Sequence, residues 1–403
     1  MKKLTAPALG PALATLALAA ACSDPLSAPR VAPADSTAPA ASVVSADKDE
    51  AKKGQPIPDE YIVVFKDDVK DPPGLAKALS NKHKGTVKHT YSQALKGFAA
   101  KMSAKDAAEL AKDPSVAFVE QDQVVTTTTT QSPVTWGLDR IDQRFLPLSN
   151  SYTFTGLGSG VRAYIIDTGI QTSHSDFGGR ALAVYDAFGG SGQDCNGHGT
   201  HVAGTVGGAT YGVAKRVYLR GVRVLNCAGS GTWGGVIAGM DWVRVNGIKP
   251  AVANMSLGGG FSAAVNAAAT NLANSGIFVA VAAGNSNANA CSFSPASAAG
   301  VLTVAASDRT DRRASFSNYG QCVEIYAPGV AVTSDWLGGG VATLNGTSMA
   351  SPHAAGVAAL YKGRFGDVTS NFLVNWIIAN STAGVIIGNP AGTPNRLLYK
   401  AAL

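Results

Sequence analysis

Between residues 163 and 306 short apolar runs recur at 163–166, 181–185, 218–225, 251–255, 278–282 and 302–306. Runs of this length, without the polar alternation of a half-solvated sheet, read as parallel strands buried on both faces. Segments 201–206, 236–245, 263–274 and 349–361 carry helical patterning. Doubly buried strands joined by crossover helices require one large α/β domain, a mainly parallel sheet flanked by helices. No internal repeat is visible.

The 403 residues exceed one typical domain, and the composition changes near residue 128. Before it there are 15 Lys, one Arg and five of the 46 Gly; after it, four Lys, 13 Arg and all five Trp. Two folding units account for this. The net charge of +6 divides into +1 on residues 1–128 and +5 on the rest. With no basic stripe to follow phosphates, nucleic acid is not an expected partner.

Lys2 and Lys3 precede an apolar run over residues 8–21, shorter than the ~20 residues that span a bilayer, so 1–22 reads as an export signal. Ala19-Ala20-Ala21-Cys22 also resembles a bacterial lipoprotein processing site, which leaves lipidation of Cys22 and ordinary cleavage both open. Residues 23–56 are rich in Ala, Pro, Ser and Asp, too poor in large apolar groups to fold, and read as a tether. Residues 57–128 follow the order β-α-β-β-α-β, with Ser103 and Asp106 placed to cap the second helix, and predict a small ferredoxin-like α+β unit. The threonines at 126–130 suit an accessible connector. Cys195, Cys227, Cys291 and Cys322 suggest two disulfides in an exported chain; three connectivities are open, and the lack of any Cys-x-x-Cys disfavours zinc.

Four distant polar residues stand at strand ends or helix starts. Asp167 follows the apolar run 163–166 and opens Asp167-Thr168-Gly169; the chain has no second such tripeptide, so the paired carboxylates of an aspartic protease are not available. His198 lies in Asn196-Gly197-His198-Gly199-Thr200-His201, where glycines let a helix start close to the sheet. His198 and His201 are spaced i, i+3 with no intervening carboxylate, unlike the i, i+4 pair of a zinc helix, so His198 suits a general base. Ser348, in Gly346-Thr347-Ser348-Met349-Ala350, sits at a helix amino end, whose partial positive charge favours an oxyanion. Asn285 follows the run 278–282 and offers an amide donor to the same oxyanion.

These segments resemble those of subtilisin-type serine proteases, and within them the proteinase K branch with its aqualysin-like enzymes, over residues 130–403. The order Asp, His, Ser is that of subtilisin and differs from the Ser, Asp, His order of α/β-hydrolases. The resemblance implies a subtilisin-like fold for residues 129–403, an inhibitory propeptide that also aids folding at 57–128, and a secreted, monomeric, broad-specificity endopeptidase acting on proteins and peptides. Asp167, His198 and Ser348 would form the triad, with Asn285 as oxyanion donor. Gly229, Ser230 and Gly231 with Ser256, Leu257 and Gly258 would pair with extended substrate. Ala283 and Gly284 would line an uncharged primary pocket, and Trp233 would wall a pocket further upstream. Disulfides Cys195–Cys227 and Cys291–Cys322 are implied. No cofactor is needed for the chemistry. Structural calcium is implied at two places: Asp139, Asp142, Gln143, Ser149 and Ser151, and the carbonyls of Ala299 and Val301 with Glu324.

Overall fold

A computed structural model of the chain describes residues 56–123 and 129–403. The export signal, nearly all of the tether, Cys22 and most of the connector fall in residues 1–55 and 124–128, outside the described residues. Two compact units divide the chain between Thr129 and Thr130.

In the smaller unit, strands Pro56–Phe65, Thr86–Tyr91, Gly97–Lys101 and Val116–Gln123 alternate with helices Pro72–Lys82 and Ala104–Leu110. The sheet order is Thr86–Tyr91, Gly97–Lys101, Pro56–Phe65, Val116–Gln123, antiparallel throughout, which is the ferredoxin-like arrangement. Val63, Phe65, Phe98 and Ala100 pack with Leu79 and Leu110 of the helices in one core. Both helices start where their caps dictate: the Asp71 carboxylate accepts Gly74 N–H at 3.0 Å, and Ser103 Oγ accepts Asp106 N–H at 3.1 Å.

The larger unit is built on a nine-stranded sheet, in the order Thr382–Ala383, Arg396–Leu397, Ile325–Pro328, Leu302–Ser307, Phe278–Ala282, Ala251–Met255, Arg162–Asp167, Tyr218–Arg223, Ala181–Asp186. All pairs are parallel except the first. Ala251–Met255, Phe278–Ala282 and Leu302–Ser307 are buried along their whole length, as expected of strands covered on both faces. From Arg162–Asp167 the chain first builds outward on one side and then, at Ala251–Met255, on the other. The crevice at the carboxyl ends of these two strands is the topological switch point, where open α/β sheets place ligands. Helix Thr347–Phe365 packs against the sheet centre and is buried on nearly every face, which its Ala354, Ala355, Gly356, Ala358 and Ala359 permit.

Several elements were not visible in the sequence patterning. Helix Trp136–Asp142 buries Asp139 and Arg140, so its polar residues do not form the solvated face their type suggests. Arg140, fully buried, binds both carboxylate oxygens of Asp311 at 2.6 and 2.9 Å. A hairpin of Val332–Trp336 and Gly340–Leu344 packs on helix His198–Gly207. Its polar composition concealed it, since Ser334 and Asp335 are fully buried where apolar residues would be expected.

Asp335 sits against Asp176 in a notch left by Gly204 and Gly208. Burial first, then the neighbouring Asp176 charge, pushes its carboxyl well above the usual range, and Arg180 only partly opposes this. The native state therefore holds a proton that the unfolded chain has released once the pH passes about 3.8. Stability from this site falls as pH rises from there toward the folded-state value. Asp335→Asn should raise the melting temperature, by more at pH 8 than at pH 5, in thermal scans of the two proteins; equal shifts at both pH values would show that Asp335 does not titrate this way.

Candidate active site

Strand Arg162–Asp167 delivers Asp167, fully buried, to the switch point, and helix His198–Gly207 starts beside it. His198 Nδ1 lies 2.7 Å from Asp167 Oδ1, which also accepts Thr168 N–H at 2.7 Å. The approach depends on Gly199, where a Cβ would stand 2.1 Å from the Gly169 carbonyl oxygen. Thr168 and Asp194, which sequence reasoning did not single out, latch the two segments together. Thr168 Oγ1 accepts Gly199 N–H at 2.9 Å and donates to Asp194 Oδ1 at 2.9 Å. Asp194 also accepts the N–H groups of Asn196, Gly197 and Thr200 at 2.9, 3.0 and 2.9 Å. An acidic residue four positions before a glycine-flanked His was the available signal.

Burial and bonding distinguish His198 from the other histidines of this unit. His201 and His353 are buried, with ring nitrogens on the carbonyls of Val332 and Met349 at 3.1 and 2.9 Å. Burial pushes their pKa values down to about 3 and about 4, so both stay neutral. His174 approaches a carboxylate, Asp335, only to 3.7 Å, and its nitrogens engage Asp176 N–H and the Gly340 carbonyl. The His198 side chain is 14 % exposed and holds a buried carboxylate at hydrogen-bond distance. Those are the requirements for an oriented general base.

Ser348 is the second residue of helix Thr347–Phe365, which packs against helix His198–Gly207. Its Oγ donates to the Ser256 carbonyl at 3.1 Å. Asn285 follows strand Phe278–Ala282, and its Oδ1 accepts both Thr347 N–H and Thr347 Oγ1 at 2.9 and 2.8 Å. That fixes the amide so its Nδ2 faces away from Thr347. At Gly346 (φ +154°) the place a Cβ would take lies 3.4 Å from Asn285 Nδ2 and 3.5 Å from Ser348 N. Two donors thus converge on the space the glycine leaves.

The Subtilase family pattern matches residues 158–397, and that of Peptidase inhibitor I9 matches 60–128. The chain belongs to the subtilase family. An extracellular serine proteinase of Thermus sp. (strain Rt41A) is 47% identical over 388 residues, 90% of this chain and 95% of the relative. A subtilisin-like serine protease of Sarocladium strictum is 50% identical over 85% of this chain and 89% of its own length. The crystal structure of a cold-adapted subtilisin-like serine proteinase, 50% identical, superposes with a TM-score of 0.66 over 68% of this chain and all of its own. The protein is therefore a subtilisin-like serine endopeptidase carrying an inhibitor I9 unit, and as a subtilase it needs no cofactor for catalysis.

In this subtilase Gly229, Ser230 and Gly231 form a turn held by Asn226, whose carboxamide accepts Ala228 and Ser230 N–H at 2.9 and 3.1 Å. The Trp233 ring lies against Gly259, where a Cβ would stand 2.8 Å from it, so this segment and Ser256-Leu257-Gly258 are neighbours. Ala283 is fully buried, and Gly284 N–H donates to Thr347 Oγ1 at 3.0 Å. The disulfides are Cys195–Cys227 and Cys291–Cys322, spanning 32 and 31 residues. Each stabilises by about 2 to 4 kcal/mol on the chain-entropy account. Asn196 Nδ2 reaches the Cys227 carbonyl at 3.0 Å, so the first disulfide also braces the His198 loop.

Of the residues considered for calcium, Asp139 accepts Ser149 Oγ at 2.9 Å, and Ser149 and Ser151 hydroxyls lie 2.8 Å apart. The Asp139 carboxylate also accepts the N–H groups of Ser149 and Asn150 at 3.1 and 2.6 Å, so both of its oxygens are engaged by protein donors. Asp142 pairs with Lys400 at 2.9 Å, and Gln143 Nε2 turns to the carbonyls of Phe145 and Pro147. Glu324 accepts Thr303 N–H at 2.6 Å and is pushed up to about 7 by burial, while the Ala299 carbonyl takes the Thr270 hydroxyl. A cation at Glu324 would have to displace both bonds.

His201 and His353 give the enzyme an acid limit. Their folded pKa values lie below the usual 6.5, so the stability that depends on their neutrality is present above pH 6.5 and is lost as pH falls. Each should cost about 1.4 kcal/mol per pH unit between 6.5 and its folded value. Denaturant titrations from pH 7 to 4 test this; a flat stability across that range would contradict it.

Proposed function

We propose that the enzyme cleaves proteins by acyl transfer through Asp167, His198 and Ser348, with Asn285 as oxyanion donor. The observation that carries this is the convergence of Asn285 Nδ2 and Ser348 N–H beside Gly346, with His198 held at 2.7 Å from Asp167. His198 takes the Ser348 proton as Oγ attacks the carbonyl and later gives it to the leaving amine. Asp167 keeps Nδ1 protonated and stabilises the imidazolium. Charge developing on the carbonyl oxygen meets the two donors, assisted by the positive end of helix Thr347–Phe365. Water then hydrolyses the acyl-enzyme.

Substrate lies extended between Gly229-Ser230-Gly231 and Ser256-Leu257-Gly258, with main-chain pairing giving broad specificity. Ala283, Gly284 and Gly258 carry no charge, which favours aromatic or large aliphatic residues before the scissile bond. Trp233, against Gly259, walls a pocket further upstream. Residues 57–128 act as inhibitor and folding aid for 129–403 until the enzyme cuts its own chain between about residues 125 and 131. Residues 1–22 direct secretion, and a lipid on Cys22 would anchor only the precursor, since Cys22 lies on the discarded side of that cut. The structural calcium implied by the resemblance would bind at Asp139, Ser149 and Ser151, displacing the Ser149 and Asn150 N–H groups from the Asp139 carboxylate.

Ser348→Ala should abolish proteolysis and accumulate as uncut precursor, seen by mass spectrometry of cell and medium fractions. Hydrolysis or processing by that variant would refute the assignment. Asn285→Ala should lower kcat about 100- to 1,000-fold with little change in KM, a range established on a subtilisin and carried over by similarity.

Chelation should shorten the half-life of the mature enzyme at elevated temperature without stopping hydrolysis at once, because the calcium would hold a surface loop. Asp139→Asn should abolish that sensitivity. Immediate arrest on adding chelator, or unchanged sensitivity of the variant, would remove calcium from this site.

A further inference from the structure

Pro352 lies four residues after Ser348 inside helix Thr347–Phe365, and its ring nitrogen has no hydrogen for the Ser348 carbonyl. A buried carbonyl left this way needs another donor. Ser256 Oγ supplies it, donating to Ser348 O at 2.7 Å, while Ser348 Oγ donates to Ser256 O at 3.1 Å. The two serines therefore clamp each other through one main-chain and one side-chain bond apiece.

The Ser256 hydroxyl has a single proton, so something must direct it toward Ser348. Asn254 Nδ2 donates to Ser256 Oγ at 2.8 Å, which leaves that proton for the Ser348 carbonyl. Asn254 Oδ1 in turn accepts Ser351 Oγ at 2.8 Å, fixing which way the amide faces, and Ser351 Oγ stands 3.0 Å from Ser256 Oγ. Asn254, Ser256 and Ser351 are all buried. Asn254 interrupts the otherwise apolar strand Ala251–Met255, at the switch point itself. A buried amide is tolerated there because both of its ends are used.

We propose that Asn254 is a positioning residue for the acyl-transfer reaction. Its amide orients the Ser256 hydroxyl, which holds the Ser348 main chain and so sets where Ser348 Oγ stands relative to His198. This rests on the reading of Ser348 as the nucleophile.

The test compares wild type, Asn254→Ala, Asn254→Asp and Ser348→Ala, measuring kcat and KM on a peptide anilide, the rate of labelling by a fluorophosphonate, and melting temperature. Asn254→Ala should lower kcat and labelling rate together, about 10- to 100-fold, with KM within about twofold, because a small misplacement of a reacting atom is amplified in rate. Asn254→Asp should be worse than the alanine variant at pH 8, since an ionised carboxylate only accepts and would draw the Ser256 proton away from Ser348. Its deficit relative to wild type should narrow toward pH 5, where a protonated carboxyl donates again. A purely structural role would lower the melting temperature without this pH-dependent order. Wild-type kcat and labelling in Asn254→Ala, or a loss confined to KM or to stability, would overturn the proposal.

Should neither Asn254 variant mature, Ser351→Ala releases the amide from the other side. It should lower kcat and labelling about three- to tenfold at unchanged KM, and no change would count equally against the proposal. Ser348→Ala separates the two failures. If it remains active, the nucleophile reading falls; if it is inactive while Asn254→Ala behaves as wild type, only the role of Asn254 falls.

Discussion

The larger unit depends on how closely two helices approach the carboxyl ends of the central strands. Helix His198–Gly207 meets the turn after Asp167 at Gly199, and helix Thr347–Phe365 meets the loop 208–217 at Gly356, where a Cβ would stand 2.5 Å from the Val213 side chain. Interiors packed this tightly do not yield by an ångström without displacing their neighbours. The small residues around His198 and Ser348 are therefore a packing requirement first. The closeness they allow brings residues 31 and 181 positions beyond Asp167 to one crevice.

Closeness alone leaves buried polar groups to be satisfied, and side chains at the switch point do this. Asp194 gathers three N–H groups and two hydroxyls around the His198 loop. Thr347 saturates Asn285 Oδ1, and Asn254 joins Ser256 to Ser351. In a medium of low polarity such networks are rigid when complete and costly when broken. On the proposed mechanism they hold donors and the imidazole where charge develops, which would leave little reorganisation for the reaction itself.

The same burial that organises the site leaves ionisable groups in unfavourable places. His201 and His353 are kept neutral by desolvation, and Asp335 is driven toward its protonated form beside Asp176. These act in opposite pH directions, and stability is confined between them. Arg140 with Asp311 shows the other outcome, a buried charge made tolerable by a two-point partner.

Much of the molecule was legible in the residue pattern because its information is local. Apolar runs marked the central strands, although the run at 181–185 became the edge strand Ala181–Asp186, which is mostly half-buried rather than covered on both faces, and Ser103 marked where the second helix of the smaller unit begins. The polar residues at strand ends were visible as Asp167, His198, Asn285 and Ser348, and a resemblance carried by their flanking glycines named the family to which the chain belongs. Helix Trp136–Asp142 and the hairpin Val332–Trp336 with Gly340–Leu344 were not legible, because they bury Asp139, Arg140, Ser334 and Asp335, whose type predicts solvent. Nor were Thr168 and Asp194, joined across 26 residues, or Asn254 and Ser351, joined across 97. The sequence by itself determined the central strands, the helices that cross between them and which residues have the chemistry for acyl transfer. Only the tertiary structure decided which polar groups are buried and paired, since a hydrogen bond's direction and a carboxylate's solvation depend on neighbours that the chain brings together only on folding.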